Sequence, residues 1–469
     1  MLVQLYICNP QGGAVEDNAH ISARTIFKFW IPLAATWLMM AAEGPFLAAI
    51  IARLVDPKYN LAAYGIALSL GLLVEAPIIM MLSAVVALVK DADSYRKMQR
   101  FAFTLNGIVT VIMTLLIIPG VFKFIVGDII GLPPRVVYLA HIATILLLPW
   151  PGAIGFRRFY QGLLIRFDKT HRVAYGTILR LTAMSLTALL LYLKFSISGA
   201  FVGAAALSAG VVIEAFASRI MVHSILKKLS QNTPIIQPGI KVPGSLTYLE
   251  ISKFYYPLAL SSILGLGAYP LVNFFIGHSQ HPIESLAVLP VINSLNFIFA
   301  SLGLSYQEVG IALLGSQNQN FIRLRNFATW LGITLFSGIS IIAFTPLSIL
   351  WFHNVSGLTL ELTDFALWPF RLTILLPALT VLIAFQRALL VKAKMTGAVT
   401  WATIVELIGI IGTMYAAVHY FHLIGAIAAG VAYIIGRGSA VVYLAPKTFK
   451  IRGKKSAEIN KISESWQTY

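Results

Sequence analysis

The chain has 469 residues, with 35 Lys and Arg against 18 Asp and Glu, a formal net charge of +17 and a mean hydropathy of +0.82. Charged residues are 11% of it and hydrophobic residues 58%, whereas a soluble domain carries roughly 25% charged residues, so a water-soluble globule would lack a polar coat. Soluble enzymes are excluded, and because apolar stretches of spanning length recur along the whole chain, so is a soluble domain held by one or two spans.

The stretch from Met1 to His20 is polar and lacks the basic start, apolar stretch and small-residue cleavage site of a signal peptide. Residues 1–24 are therefore expected to be a cytoplasmic leader. Cys8, the single cysteine, has no partner for an intramolecular disulfide and no Cys or His at metal-ligand spacing, so no metal or cofactor is expected. Apolar runs bounded by charged or turn clusters then predict twelve spans, numbered here in chain order, at roughly 27–52, 61–89, 101–122, 136–156, 173–195, 199–222, 253–277, 286–314, 327–351, 365–386, 397–420 and 423–445. Their length, and the 21 Pro and 35 Gly distributed through the chain, favour helices over the short alternating strands of a barrel.

Counting Lys and Arg at alternate span ends places 28 of the 35 on the side of the N-terminus and five on the other, with Arg180 and Arg371 inside spans. The positive-inside rule then puts both termini in the cytoplasm. Loops facing anionic lipid account for the basic pI of about 9.9, so membrane lipids are expected partners and nucleic acid is not. Short loops and one cysteine suit a bacterial inner membrane.

The two halves repeat. Phe29-Trp30-Ile31-Pro32-Leu33-Ala34 matches Phe254-Tyr255-Tyr256-Pro257-Leu258-Ala259 at an offset of 225, and Phe159 to Thr170 matches Phe385 to Thr396 at 226. Each repeat has an even number of spans, so the halves enter the bilayer in the same direction, related by an axis along the membrane normal. The expected fold is an all-α polytopic bundle of two six-helix lobes, 25–226 and 249–446, joined by a Pro-containing cytoplasmic linker over 227–248 and followed by a basic tail over 447–469. Two such lobes around a cleft suit alternating access, in a chain expected to act as a monomer. A channel would more usually be a symmetric oligomer with a filter motif such as TVGYG, absent here.

The loop between spans two and three, KDADSYRKMQR, lacks the basic motif of the major facilitator fold. Instead, Pro32-Leu33 in span one and LAAYGIALSL (61–70) opening span two resemble the multidrug/oligosaccharidyl-lipid/polysaccharide exporter superfamily. Within it, LAAYGIALSL, FYYPLAL (254–260) and the run from Tyr269 through Phe275 are most similar to the progressive ankylosis proteins. That resemblance implies a MATE-like fold and export of small organic anions such as citrate or nucleotides. Glu43 lies near an acidic residue of that family but out of register with it.

Charged groups inside spans cost at least a few kcal/mol, which makes each a functional candidate. Glu43 precedes Gly44-Pro45, where the missing proline N–H leaves a backbone acceptor beside a carboxylate. This suits a proton or Na⁺ site; the alternative is a packing kink. Pro270, its repeat mate, is expected to break span seven, with Tyr269 and Asn273 beside it as substrate-binding candidates. Glu75, near the midplane, is read as a proton carrier or a hydrogen-bonded packing carboxyl. Arg180 and Glu406 are repeat equivalents of opposite charge. Arg180 suits a bidentate carboxylate or phosphate, or else pairs with Glu214, while Glu406 is a coupling candidate. Arg371 either lines the cavity or snorkels. Arg157, Arg158 and Arg387 are assigned to cytoplasmic span ends, and Trp30, Trp150, Trp330, Trp351 and Trp368 to the interfacial belt.

No nucleophile–base pair or Walker loop is present, so an enzyme or ATP-driven pump is disfavoured. The expectation is a secondary-active exporter of organic anions, with Glu43, Glu75 and Glu406 coupling to H⁺ or Na⁺ and Arg180, Arg371, Asn273 and Tyr269 holding substrate. A flippase for a lipid-linked precursor and an ion-coupled exporter of cationic drugs are the alternatives.

Overall fold

The apolar runs are helical throughout the computed structural model, which describes residues 21–167, 169–195, 197–231, 246–315, 318–393 and 395–466. Most of the leader, with Cys8, most of the linker and residues 467–469 lie outside the described residues. Among the described residues, eleven helical segments are long and apolar enough to cross a membrane. Span two occupies the remaining position as Pro57–Glu75, a turn over 76–80 and Met81–Leu88. Pro77 lies in that turn, and its carbonyl accepts a 2.6 Å hydrogen bond from the Tyr255 hydroxyl of span seven, so the freed backbone group is satisfied from the other half of the chain.

Several spans are longer than their apolar runs. Span four is Pro134–Arg166 and span ten Leu360–Lys392, while the last helix runs Gly425–Trp466. Span one, Ala23–Ala52, is capped by the Ser22 hydroxyl, which accepts from the Thr25 N–H at 3.1 Å, and is interrupted after Ala41, just before Glu43-Gly44-Pro45. Span seven departs from expectation: Tyr248–Gly277 continues through Pro257 and Pro270. Gly44 lets span eight come so near the break in span one that a Cβ there would lie 3.2 Å from Ser294 Cβ. Span seven has Tyr269 in the repeat-equivalent place, and one proline without a neighbouring glycine bends a helix rather than ending it.

The repeat extends to local geometry. Asp56 and His281 both take positive φ (53° and 51°) immediately before Pro57 and Pro282. Asn60 Oδ1 accepts the Ala200 N–H and Ser285 Oγ the Ala426 N–H, each at 3.0 Å. Lys123–Ile129 and Leu350–Val355 are matching π-helical turns, each followed by a glycine of positive φ, Gly131 and Gly357.

In lipid, helices associate through close packing more than through expulsion of water. Spans two and eight therefore sit centrally and meet where a Cβ on Gly65 would lie 3.0 Å from Pro290 Cγ. Leu61, Ala62, Ala63, Ile66 and Ala67 are fully buried along this seam, as are Ala287 and Val288 opposite. At the end away from the N-terminus the halves are clamped by Lys58 and Glu284 (2.5 Å) and by Arg53 Nη2, which donates to the carbonyls of Asn354 (2.6 Å) and Val355 (2.9 Å).

Span one also crosses to the second half. Trp30 is 7% exposed, and its Nε1 donates to Ser305 Oγ at 2.9 Å and to the Leu302 carbonyl at 3.2 Å. Trp150 is 4% exposed. Neither belongs to an interfacial belt: Trp30 fills the contact of span one with span eight, and Trp150 packs beside Gly71. Trp330 and Trp368, by contrast, are mostly exposed.

Candidate functional site

Two clusters of ionisable side chains lie among the spans of the described residues, one in each half. The first is built on spans one, two, four, five and six. Glu214, fully buried, accepts from Arg157 Nη1 and from Gln161 Nε2 (2.9 Å), and Arg180 Nε lies 3.3 Å from it as an ion pair without a hydrogen bond. The other end of the Arg180 guanidinium pairs with Glu43 at the break in span one. Glu75 is 3% exposed with Oε2 lacking a hydrogen-bond partner. With Arg158, which is close enough to Glu75 to interact with it electrostatically, the group comprises three guanidiniums and three carboxylates.

This corrects several expectations. Arg157 is not a residue of a cytoplasmic span end; it is 5% exposed, because span four extends a further ten residues beyond its apolar run. Arg180 faces two carboxylates, pairing with Glu43 through Nη2 and with Glu214 through an Nε that makes no hydrogen bond. Such burial is tolerable because each charge is met by another.

The second cluster inverts the first. At the repeat position of Arg180 stands Glu406, whose Oε1 receives Arg437 Nε at 2.5 Å and whose Oε2 lies 3.9 Å from Arg387 Nη2. Arg437 Nη1 also donates to Thr380 Oγ1 at 2.9 Å, and Arg387 Nη2 approaches Thr403 Oγ1 at 3.4 Å. Arg387 Nε is buried without a partner. Two guanidiniums thus share one carboxylate. They line a cavity of about 260 Å³ together with Gln307, Thr380 and Thr403, the small residues Ser261, Gly265 and Ala268 of span seven, and Met80 from the first half. A carboxylate or phosphate entering it meets donors and a net positive charge already in place.

Arg437 was the residue the sequence reading missed. Gly436-Arg437-Gly438 lies inside the apolar run of span twelve, and that position is the signal for it. Arg387, assigned to a span end, lines this cavity because span ten continues to Lys392. Tyr269 lies near enough to Arg437 and Glu406 to interact with both electrostatically. Asn273 instead bridges spans seven and two, donating from Nδ2 to Ser69 Oγ at 2.8 Å. Arg371 stands apart from both clusters, over the rings of Phe344 and Trp368, with Nε donating to the Ala343 carbonyl at 3.2 Å. Among the described residues no three His, Cys, Asp or Glu side chains are grouped to hold a metal ion. At the Asp91 cap of span three, outside the spans, hydrogen bonds from Ser94 hold the carboxyl below the usual range.

No family model and no curated protein sequence matches the chain. Solved structures do. An inward-facing multidrug resistance MATE family transporter of the MOP superfamily superposes with a TM-score of 0.69 at 15% identity, covering 91% of this chain and 98% of that one. An outward-facing transporter of the same family gives 0.56 at 15% identity, over 93% and 96%. A MOP superfamily transporter from Pyrococcus furiosus, described as having a binding pocket of reversed polarity, gives 0.51 at 16% identity over 93% of each chain. The likeness at these identities is one of fold, and it extends over nearly the whole molecule: this chain has the fold of the MATE transporters of the MOP superfamily.

Proposed function

We propose that this chain is a secondary-active exporter of small organic anions, working by alternating access between the lobes 25–226 and 249–446 with both termini in the cytoplasm of a bacterial inner membrane. The observation that carries the reading is the second-half cavity, where Arg387 and Arg437 face a single carboxylate, Glu406. A substrate carboxylate or phosphate takes Arg387 Nε and competes with Glu406 for Arg437. The displaced Glu406 then takes up H⁺ or Na⁺, so that anion and coupling ion share one site. The resemblance to progressive ankylosis proteins supports the substrate class, and the MATE-like fold, known in inward- and outward-facing states, supports the transport mode.

The first cluster supplies coupling rather than substrate binding. Protonation of Glu43 releases one end of Arg180 and frees the break in span one to change its angle. The clamp of Lys58, Glu284 and Arg53 closes the end away from the termini, and opening that end requires breaking it.

The test is efflux of labelled citrate and ATP from proteoliposomes, beside a cationic dye, with and without a pH gradient. Anion movement weakened by Arg437→Ala through a raised KM supports the proposal. A second reading rests on Glu75, whose buried carboxyl has an oxygen with no partner: dye movement abolished by Glu75→Gln, with no anion movement, replaces anion export by cation extrusion.

A further inference from the structure

A second cavity, of about 580 Å³, lies between spans nine, ten and twelve, away from both charge clusters. Its wall on span nine opens to the outer surface of the bundle, where Ile333 is more than half exposed. Its lining is mostly apolar, with its few polar side chains toward the end nearer the termini. Arg325 stands at the end nearer the termini, in no ion pair among the described residues; its Nη2 has only the neighbouring Asn326 Oδ1, at 3.3 Å. Thr329, Thr448 and Gln386 follow. Gln386 is 5% exposed, its Nε2 donates to the Val441 carbonyl at 3.2 Å, and its Oε1 is a buried acceptor without a donor. Beyond these the lining is apolar, through Gly332, Ile333, Phe336 and Leu382.

From Arg325 to Phe336 the helix rises roughly 16 Å, about the depth of one leaflet of a 30 Å hydrocarbon core. A cation and a few polar groups toward one end of an apolar channel about one leaflet deep match an amphiphile lying along the membrane normal. We propose that this groove is a binding site for an anionic phospholipid. The phosphate meets Arg325 and one acyl chain fills the channel past Gly332. Basic pockets between spans on the cytoplasmic side suit such headgroups. The occupant touches spans nine, ten and twelve, the last two of which carry Arg387 and Arg437, so it braces the helices around the anion cavity without entering it.

Gly332 makes the site testable, because a Cβ there would meet nothing within 4 Å and a larger side chain grows into the groove rather than into a neighbour. Delipidated full-length protein in detergent is titrated with phosphatidylglycerol, phosphatidylcholine and glycerol 3-phosphate, and binding is read by native mass spectrometry and by the rise in Tm. Phosphatidylglycerol should bind about fivefold more tightly than phosphatidylcholine, and Arg325→Gln should erase that preference. Gly332→Phe should weaken both lipids by tenfold or more while leaving the lipid-free Tm unchanged; Ala378→Phe, from the facing wall, replaces it should that variant fail to fold. Unchanged lipid binding in the filled variant overturns the proposal. So does glycerol 3-phosphate binding as tightly as the lipid, which would make this a site for soluble phosphates.

Discussion

Replacing Arg437 by alanine separates the two charge clusters by what they do. Arg437 makes a charged hydrogen bond to Glu406 at 2.5 Å and a second bond to Thr380 at 2.9 Å, and its side chain is 35% exposed to the cavity. A hydrogen bond between charged groups contributes about 1.5–3 kcal/mol, and the partial exposure places this one near the lower end. Loss of a substrate contact of about 1.5 kcal/mol weakens binding about tenfold. Arg437→Ala should therefore raise the KM for anion efflux from proteoliposomes about tenfold with little change in Tm, because Arg387 still faces Glu406. Arg437→Lys should recover charge attraction but not the planar two-point contact, and fall between. Arg180→Ala, which strips Glu43 and Glu214 of a shared partner, should lower Tm strongly instead. An unchanged KM in Arg437→Ala, together with a raised KM and intact Tm in Arg180→Ala, would return the anion to the first cluster and refute the assignment.

Glu214→Ala should destabilise the protein by about 3–5 kcal/mol, since two guanidiniums lose their common carboxylate, and adding Arg157→Met should recover part of the loss in thermal unfolding. Trp30→Ala should cost about 3 kcal/mol for a large buried ring, whereas Trp30→Phe, which removes only the bonds to Ser305 and Leu302, should cost about 1 kcal/mol; denaturation in detergent distinguishes them. Asp91→Ala should remove a helix cap worth about 1 kcal/mol near neutral pH. The Asp91 carboxyl is held low by Ser94, so its contribution is complete above the unfolded carboxylate pKa and disappears as pH falls through the folded one. The Tm difference between variant and wild type should therefore close in acid.

The membrane class, the helical architecture and the duplication were legible in the chain because each depends on local pattern. A run of apolar residues long enough to cross lipid must satisfy its backbone internally wherever its neighbours lie. An ungapped repeat carries its turns with it, down to the positive φ of Asp56 and His281. Even the alternative pairing of Arg180 with Glu214 was readable, since a buried charge needs an opposite one. Which helices extend past their apolar runs was not readable. Arg157 and Arg387 looked like loop cations because a charge ends a hydropathy run whether or not it ends a helix. The choice of partner belongs to the tertiary structure alone. Glu43 meets Arg180 and Glu406 meets Arg437 only because particular helix faces are turned toward one another, and the energy of a charge in lipid depends on that meeting, while its position along the chain records only the depth.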